Sequence, residues 1–370
     1  MVERKAIGDI CTIIRGNRVT KSDLIEDGKY PVISGGMSPL GYIDKYNREP
    51  NTITIAQYGS AGYVDIQTER FWANDVCYSI YPKDNVINKF LYYSLKKEQV
   101  YIYSLRTNAV PAHLPQKELA GIVLPIPSLS EQNRIVGILD TFTASIENLK
   151  EQIANRRKQF KHYRDQLLDL EGKEGVEMKT MGDLFTFKNG LNKGKEFFGK
   201  GKPIIMFTNV FNSRYIDNSM VKNKVDISES ELERINALKG DVFFTRTSET
   251  KEDVGYASVL IEDIEDCTFA GFLIRARPIT NSILPAYCKY CFSTPQIRDS
   301  IVSKSSFTTR ASLTGSGLGE VNLSVPSQEE QSRIVSILDS FEVSIANLEA
   351  QLSQREKQYE YYRNKLLTFE

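Results

Sequence analysis

The chain has 370 residues, 41% hydrophobic and 25% charged, with 47 Lys and Arg balancing 47 Asp and Glu. That length suits two or three globular domains, each able to bury a core. No apolar run approaches the roughly 18 to 20 residues of a membrane span, the N-terminus lacks a signal peptide's apolar segment, and five unevenly spaced cysteines argue for reduced thiols, so the composition reads as cytoplasmic.

The chain opens with VERKAIGDICT from Val2, and residues 1–125 read as a mixed α/β module. Strand-like runs (TITIAQYGSAGYVDI, FWANDVCYSIYP) are punctuated by turns, with a helix in KFLYYSLKKEQVYIYSL. Three loops hold residue types suited to DNA. They are Arg15, Arg18 and Lys21 in IIRGNRVTKSD; Ser34, Gly36 and Met37 in VISGGMSP; and Gln57, Tyr58 and Ser60 in AQYGSAG. Lys and Arg meet phosphates, whereas Arg, Gln, Asn, Ser and Thr read base edges.

Residues 126–171 follow as a long helix. Ser128 and Glu131, just after Pro127, make an S-x-x-E capping box. Apolar residues then keep a 4-3 spacing through Ile135, Leu139, Phe142, Ile146 and Leu149, the mark of a coiled-coil seam. A helix of about 42 residues extends about 63 Å.

Residues 172–324 form a second module, opened by VEMKTMGDLFT from Val176. It has strand runs in GDVFFTRTSE, GYASVLI and CTFAGFLIRARP. DNA-suited residues are Lys188, Lys193, Lys195, Lys200 and Lys202 in KNGLNKGKEFFGKGK, then Arg246, Thr247, Ser248 and Lys251 in FTRTSETKED. The lysines, in a glycine loop, suit phosphates; Arg246, after a strand, suits a bidentate base contact, a phosphate, or an ion pair with Glu249 or Glu252. A lysine-rich glycine loop is as a rule only solvated surface, so no cluster decides anything alone.

Residues 325–370 repeat the helix: PSQEEQSRIVSILDSF from Pro326 answers PSLSEQNRIVGILDTF from Pro127, with the capping pair Ser327 and Glu330. The second seam runs through Ile334, Leu338, Phe341, Ile345 and Leu348, and Arg156 and Arg355 interrupt the two seams at equivalent places. Those arginines either fix register as paired buried groups or lay their stems along the seam with heads in water. The chain is a tandem duplication whose openings lie 174 residues apart and whose helical phrases lie 199 apart, so the second copy carries 25 additional residues between them. Two seams in one chain can pair antiparallel, placing the modules at opposite ends about an approximate two-fold axis. The fold class is therefore α/β, two globular modules joined by two long antiparallel coiled-coil helices.

No chemistry is visible. There is no P-loop, no H-E-x-x-H and no Asn-Pro-Pro-aromatic tetrapeptide. Cys288 and Cys291 lack partners for a metal site and suit helical packing, and GSGLGE at Gly315 reads as a turn. The zero net charge argues against a strongly basic nucleic-acid surface. An enzyme lacks its catalytic constellation; a coiled-coil adaptor without sequence-specific DNA binding remains the alternative.

The order of diverged module, PSLSEQNRIVGILD helix, diverged module and PSQEEQSRIVSILD helix resembles the specificity subunit of type I restriction-modification systems over essentially the whole chain. The lead-ins LPQKELAGIVLPIPSLSEQ and GSGLGEVNLSVPSQEEQ and the openings KAIGDI and KTMGDL share the resemblance. It implies two target recognition domains, each reading one half of a bipartite double-stranded DNA site, with helices that set the gap. It also implies two methyltransferase subunits carrying S-adenosylmethionine and restriction subunits using ATP and Mg2+. Neither the cofactors nor those activities belong to this chain, and no metal site is expected in it.

Overall fold

A computed structural model describes residues 2–369; Met1 and Glu370, the outer ends of the first and last expected segments, lie outside the described residues. The chain divides into two units. One comprises the residues up to Glu151 and from Glu349 onward, the other Gln152–Leu348. Each unit thus holds one module, the start of the long helix that follows it and the end of the other long helix.

The long helices cover Leu129–Leu168 and Gln328–Leu366. Ser128 and Ser327 cap them, each hydroxyl accepting the amide three residues on at 3.3 Å. The glutamates, expected to reach back to the serine amides, instead pair forward. Glu131 takes Arg134 at 2.8 and 2.6 Å, and Glu330 takes Arg333 at 2.7 and 2.6 Å. A bidentate guanidinium contact one turn away outcompetes a single amide.

Within each unit the two helices run antiparallel. In the first, Phe142 stacks on Tyr362 (5.3 Å between centroids), and eight residues further along, Lys150 pairs with Glu356 at 3.4 Å. In the second, Tyr163 packs on Phe341 at 5.4 Å, with Phe160 against the same ring at 6.5 Å. Each seam arginine meets an aromatic ring. Arg355 lies over the Phe142 ring at 5.7 Å and Arg156 over Phe341 at 5.6 Å, so each charge is half-buried as a cation on an aromatic face.

The first part of each seam serves the module as well as the other helix. Ile135 and Leu139, fully buried, share a core with Ile7, Phe90 and Leu91, and Ile334 and Leu338 share one with Met181, Tyr287 and Phe160. Ile146 and Leu149 are buried, while Phe142, Phe341, Ile345 and Leu348 are half-buried.

Each opening strand pairs with the lead-in to its helix, Glu3–Ala6 with Val123–Ile126 and Glu177–Thr180 with Asn322–Val325. That contact explains why opening and lead-in are repeated together. The main sheet of the first module orders Cys11–Arg15, Cys77–Pro82, Thr52–Ala56 and Val64–Gln67. The second orders Phe185–Asn189, Leu273–Pro278, Val242–Thr245 and Ala257–Leu260 in the same way, with Tyr215–Ile216 added at the edge. Two modules whose sequences do not align share one topology. Part of the additional length of the second lies in residues 206–223, which hold the helix Phe207–Phe211 and that edge strand.

Two local readings change. KFLYYSLKKEQVYIYSL forms two helices, Asn88–Lys97 and Gln99–Ser104, and GSGLGE is a helical turn, Gly315–Gly319, because the Thr314 hydroxyl caps the Gly317 amide at 3.0 Å. Cys288 and Cys291 are buried in the helix Pro285–Cys291, packing as expected. Among the described residues no group of side chains is arranged to hold a metal ion, and no helix is long and apolar enough to cross a membrane.

What binds each module to its helix is a glutamine that the repeated phrase carries. Gln132 is fully buried; its Oε1 accepts the Ile87 amide at 2.8 Å, and its Nε2 donates to the carbonyls of Asn85 and Pro127, both at 2.9 Å. Gln331 repeats this with the Leu284 amide (2.8 Å) and the carbonyls of Ser282 (2.7 Å) and Pro326 (2.9 Å). Farther along, Asp140 accepts from Tyr93 (2.6 Å) and Lys89 (2.7 Å), while Asp339 accepts from Tyr290 and from Lys289 (3.1 Å). Burial and the neighbouring carboxylate hold both phenols protonated. Gln132→Leu leaves one amide and two carbonyls without their partner, at a cost of about 1 to 3 kcal/mol for a buried orphan group. Hydrogen exchange should show the Ile87 amide losing protection in Gln132→Leu, and the Leu284 amide in Gln331→Leu, with the other unit unchanged.

Candidate nucleic-acid interface

In the first module, the strand Cys11–Arg15 ends at Gly16, where the chain passes against the backbone of Ala73 and Asn74. A Cβ at Gly16 would overlap both carbonyl oxygens, so only glycine fits. Asn74, buried, then gathers two loops. Its Oδ1 accepts the Val19 amide at 2.9 Å, and its Nδ2 donates to the Val19 carbonyl and the Ser34 hydroxyl, both at 3.2 Å. The third loop joins through the Ser60 amide, which donates to the Gly35 carbonyl at 2.7 Å; Gly59 turns beneath it at φ +68°. All three expected loops are therefore one surface. Arg15, Arg18, Lys21, Gly36 and Met37 are exposed on it, and Ser34, Tyr58 and Ser60 are half-buried.

Gln57 departs from expectation. It is 8% exposed and its Oε1 has no hydrogen-bond partner, because the strand Thr52–Ala56 before it is buried throughout and carries its inward course into Gln57. A residue so placed does not face a base edge in this conformation. Tyr58 stacks on His113 at 5.1 Å and 20°. Neither His113 nor Asn74 was marked by the sequence; an isolated polar residue carries no periodic signal.

In the second module, Lys188, Lys195 and Lys251 are exposed. Lys193 is not the free ammonium expected. It pairs with Glu231 at 2.8 Å, donates to the Asp226 carbonyl at 3.0 Å, and lies over Phe197. Lys200 pairs with Asp226 at 3.1 Å, and Lys202 pairs with Glu229 at 3.1 Å and with Asp266. Acidic residues distant in sequence neutralise much of the lysine loop. Arg246 makes no ion pair with Glu249 or Glu252 among the described contacts; Arg310 approaches Glu249 instead, at 3.8 Å. Thr247 and Ser248 pair with Ser312 and Ala311 in a small sheet. The neighbouring Phe272 and Phe307, more than half exposed, were not singled out by the sequence.

The two candidate surfaces share a backbone frame. Gly16 donates to the Cys77 carbonyl at 3.0 Å and Gly190 to that of Leu273 at 3.2 Å; a Cβ at Gly190 would overlap the Ala270 carbonyl as one at Gly16 overlaps Ala73. Gln57 donates to Val76 and receives Leu114, whereas Arg246 donates to Phe272 and receives Leu313, all at 2.8 to 2.9 Å. The frame is constant and the side chains on it differ.

The family model described as the type I restriction modification DNA specificity domain matches residues 1–156 and again 173–356. The chain belongs to this type I specificity family. The matching halves correspond to the duplication. A Haemophilus influenzae protein named as a putative type I restriction enzyme specificity subunit is 28% identical, over 100% of this chain and 96% of its own. The EcoKI specificity subunit of Escherichia coli is 25% identical over 88% of this chain and 74% of its own. The crystal structure of the type I restriction-modification S subunit from M. genitalium has the same fold, with a TM-score of 0.64 at 21% identity over 100% of this chain and 97% of that one. The role that goes with this type I specificity family is DNA sequence recognition, without catalysis, and the adaptor alternative falls with it.

For a type I specificity chain, the paired and unpaired lysines have different consequences. Hydrogen bonds from Lys193, and next from the Ser228 amide, hold the Glu231 carboxyl at about 2. A depressed acid contributes stability above its unfolded value of 4.5 and loses it as pH falls toward 2. Lys193→Ala should therefore destabilise the second unit at pH 7 and converge with the parent near pH 2, as read in acid unfolding curves. Lys195→Ala should leave stability alone and lower the salt slope of DNA binding by about 1.

Proposed function

We propose that this chain is the sequence reader of a type I restriction-modification complex in which each module reads one half of a bipartite duplex site. The observation that carries this is the constant frame with different displayed side chains, held on helices in which about half of the aligned residues are identical. Residues 1–125 and 172–324 are the two target recognition domains, and 126–171 and 325–370 the spacer helices. The residues offered to DNA are Arg15, Arg18, Lys21, Ser34, Gly36, Tyr58 and Ser60 from the first module and Lys188, Lys195, Arg246, Thr247, Ser248 and Lys251 from the second. Gln57 and Lys193 serve the frame instead.

The helices, identical in plan, dock two methyltransferase subunits that bring S-adenosylmethionine and methylate adenine. Restriction subunits bring ATP and Mg2+. The complex acts in the cytoplasm.

Methylation mapping of genomic DNA from cells with and without the gene tests the reading. A bipartite motif should appear only with the gene, and exchanging residues 1–125 for a relative's module should change one half of it. A change in both halves would refute independent modules. Inserting four residues after Lys150, about one helical turn or 6 Å, should lengthen the unspecified gap or weaken methylation while leaving the bases read unchanged.

A further inference from the structure

The shared frame makes positions in the two modules correspond one to one. Cys77 donates to Asn74 and Leu273 to Ala270, both at 3.0 Å, and Asn17 and Leu191 donate to Ala73 and Phe269. Between these fixed points Asp75 corresponds to Gly271, Arg15 to Asn189 and Gln57 to Arg246. The arginine has therefore changed strand between the modules.

It has not changed destination. Arg15, from the end of the strand Cys11–Arg15, donates through Nε and one terminal nitrogen to the Asp75 carbonyl at 3.3 and 3.1 Å. Arg246, following the strand Val242–Thr245, directs a terminal nitrogen to the Gly271 carbonyl at 3.5 Å. Two different strands thus bring a guanidinium to the same carbonyl of the frame. Neither arginine has a carboxylate partner among the described contacts, in contrast to Lys193, Lys200 and Lys202 of the second module. A carbonyl on one edge of a guanidinium limits its rotation and leaves N–H groups at the other end unused. Guanine O6 and N7 accept such a planar fork, which a point-charge ammonium cannot supply.

We propose that Arg15 and Arg246 are the equivalent guanine-reading residues of the two modules, each aimed by the corresponding backbone carbonyl. This deepens the half-site reading and rests on it. The test uses the assembled methyltransferase complex and duplexes carrying its mapped motif, with every base pair replaced in turn. Arg15→Ala should reduce discrimination about ten-fold or more at one G·C pair of the half read by the first module. Arg246→Ala should do so in the other half, and neither Arg15→Lys nor Arg246→Lys should restore it. Replacing that guanine by 7-deazaguanine, which removes N7, should weaken the parent complex and leave the alanine variant indifferent; the parent measurement stands even if a variant fails to fold. Equal loss on every duplex with rescue by lysine would make the arginines phosphate contacts and overturn the assignment, as would a parent complex insensitive to 7-deazaguanine in either half. A parent complex without sequence preference would instead overturn the half-site reading itself.

Discussion

The structure depends on a buried primary amide at the head of each long helix. Gln132 and Gln331 have no exposed surface, and each satisfies one amide and two carbonyls of the module and the helix entry. Only a side chain offering both donors and an acceptor on one planar group does this. A glutamate would turn a second acceptor onto two carbonyls, and an apolar residue would leave all three groups orphaned. The Tyr–Asp contacts at Tyr93 with Asp140 and Tyr290 with Asp339 then hold each module's helix along the next turns. The repeated phrase is thus as much a module attachment as a coiled-coil seam.

Because attachment lies in that phrase and in the paired opening and lead-in strands, the loops are free to differ. The glycines at 16 and 190 are exceptions at corresponding positions of both modules, since any Cβ there meets backbone. Between these fixed points the frame tolerates Gln57 in one module and Arg246 in the other without altering a backbone hydrogen bond. Recognition and stability are carried by different residues, which is what lets one architecture serve two DNA sequences on the proposed reading.

The helices and the duplication were legible because period and repetition are local properties, and the cap serines sat where the S-x-x-E pattern put them. Sheet topology was not legible, because strands of two to six residues, apart from the longer Phe198–Ile205, pair across long separations, as Arg15 does with Tyr78. The site failed where burial or a distant partner decides. Gln57 follows a strand covered on both faces, where alternation no longer separates inside from outside. Lys193 looked free because its acid lies 38 residues away. Arg156 and Arg355 were seen as breaks in the seam, but that each rests on a phenylalanine of the opposite helix needs the register of two helices, which neither sequence contains alone.

The ion pairs of the second module also bear on how DNA is held. Each phosphate neutralised by a free cation adds about 0.9 to the salt slope of binding, and Lys193, Lys200 and Lys202 already have acidic partners. Breaking such a pair to reach a phosphate exchanges one ionic contact for another and returns little. A chain with 47 cations and 47 anions in whose lysine loop three of the five lysines have acidic partners is poorly built to bind duplex DNA by charge alone. On the proposed reading its affinity must come from subunits that enclose the DNA, leaving this chain to contribute the differences between one sequence and another. That division fits a surface on which Arg15 and Arg246 have no described carboxylate partner and are each directed by a backbone carbonyl.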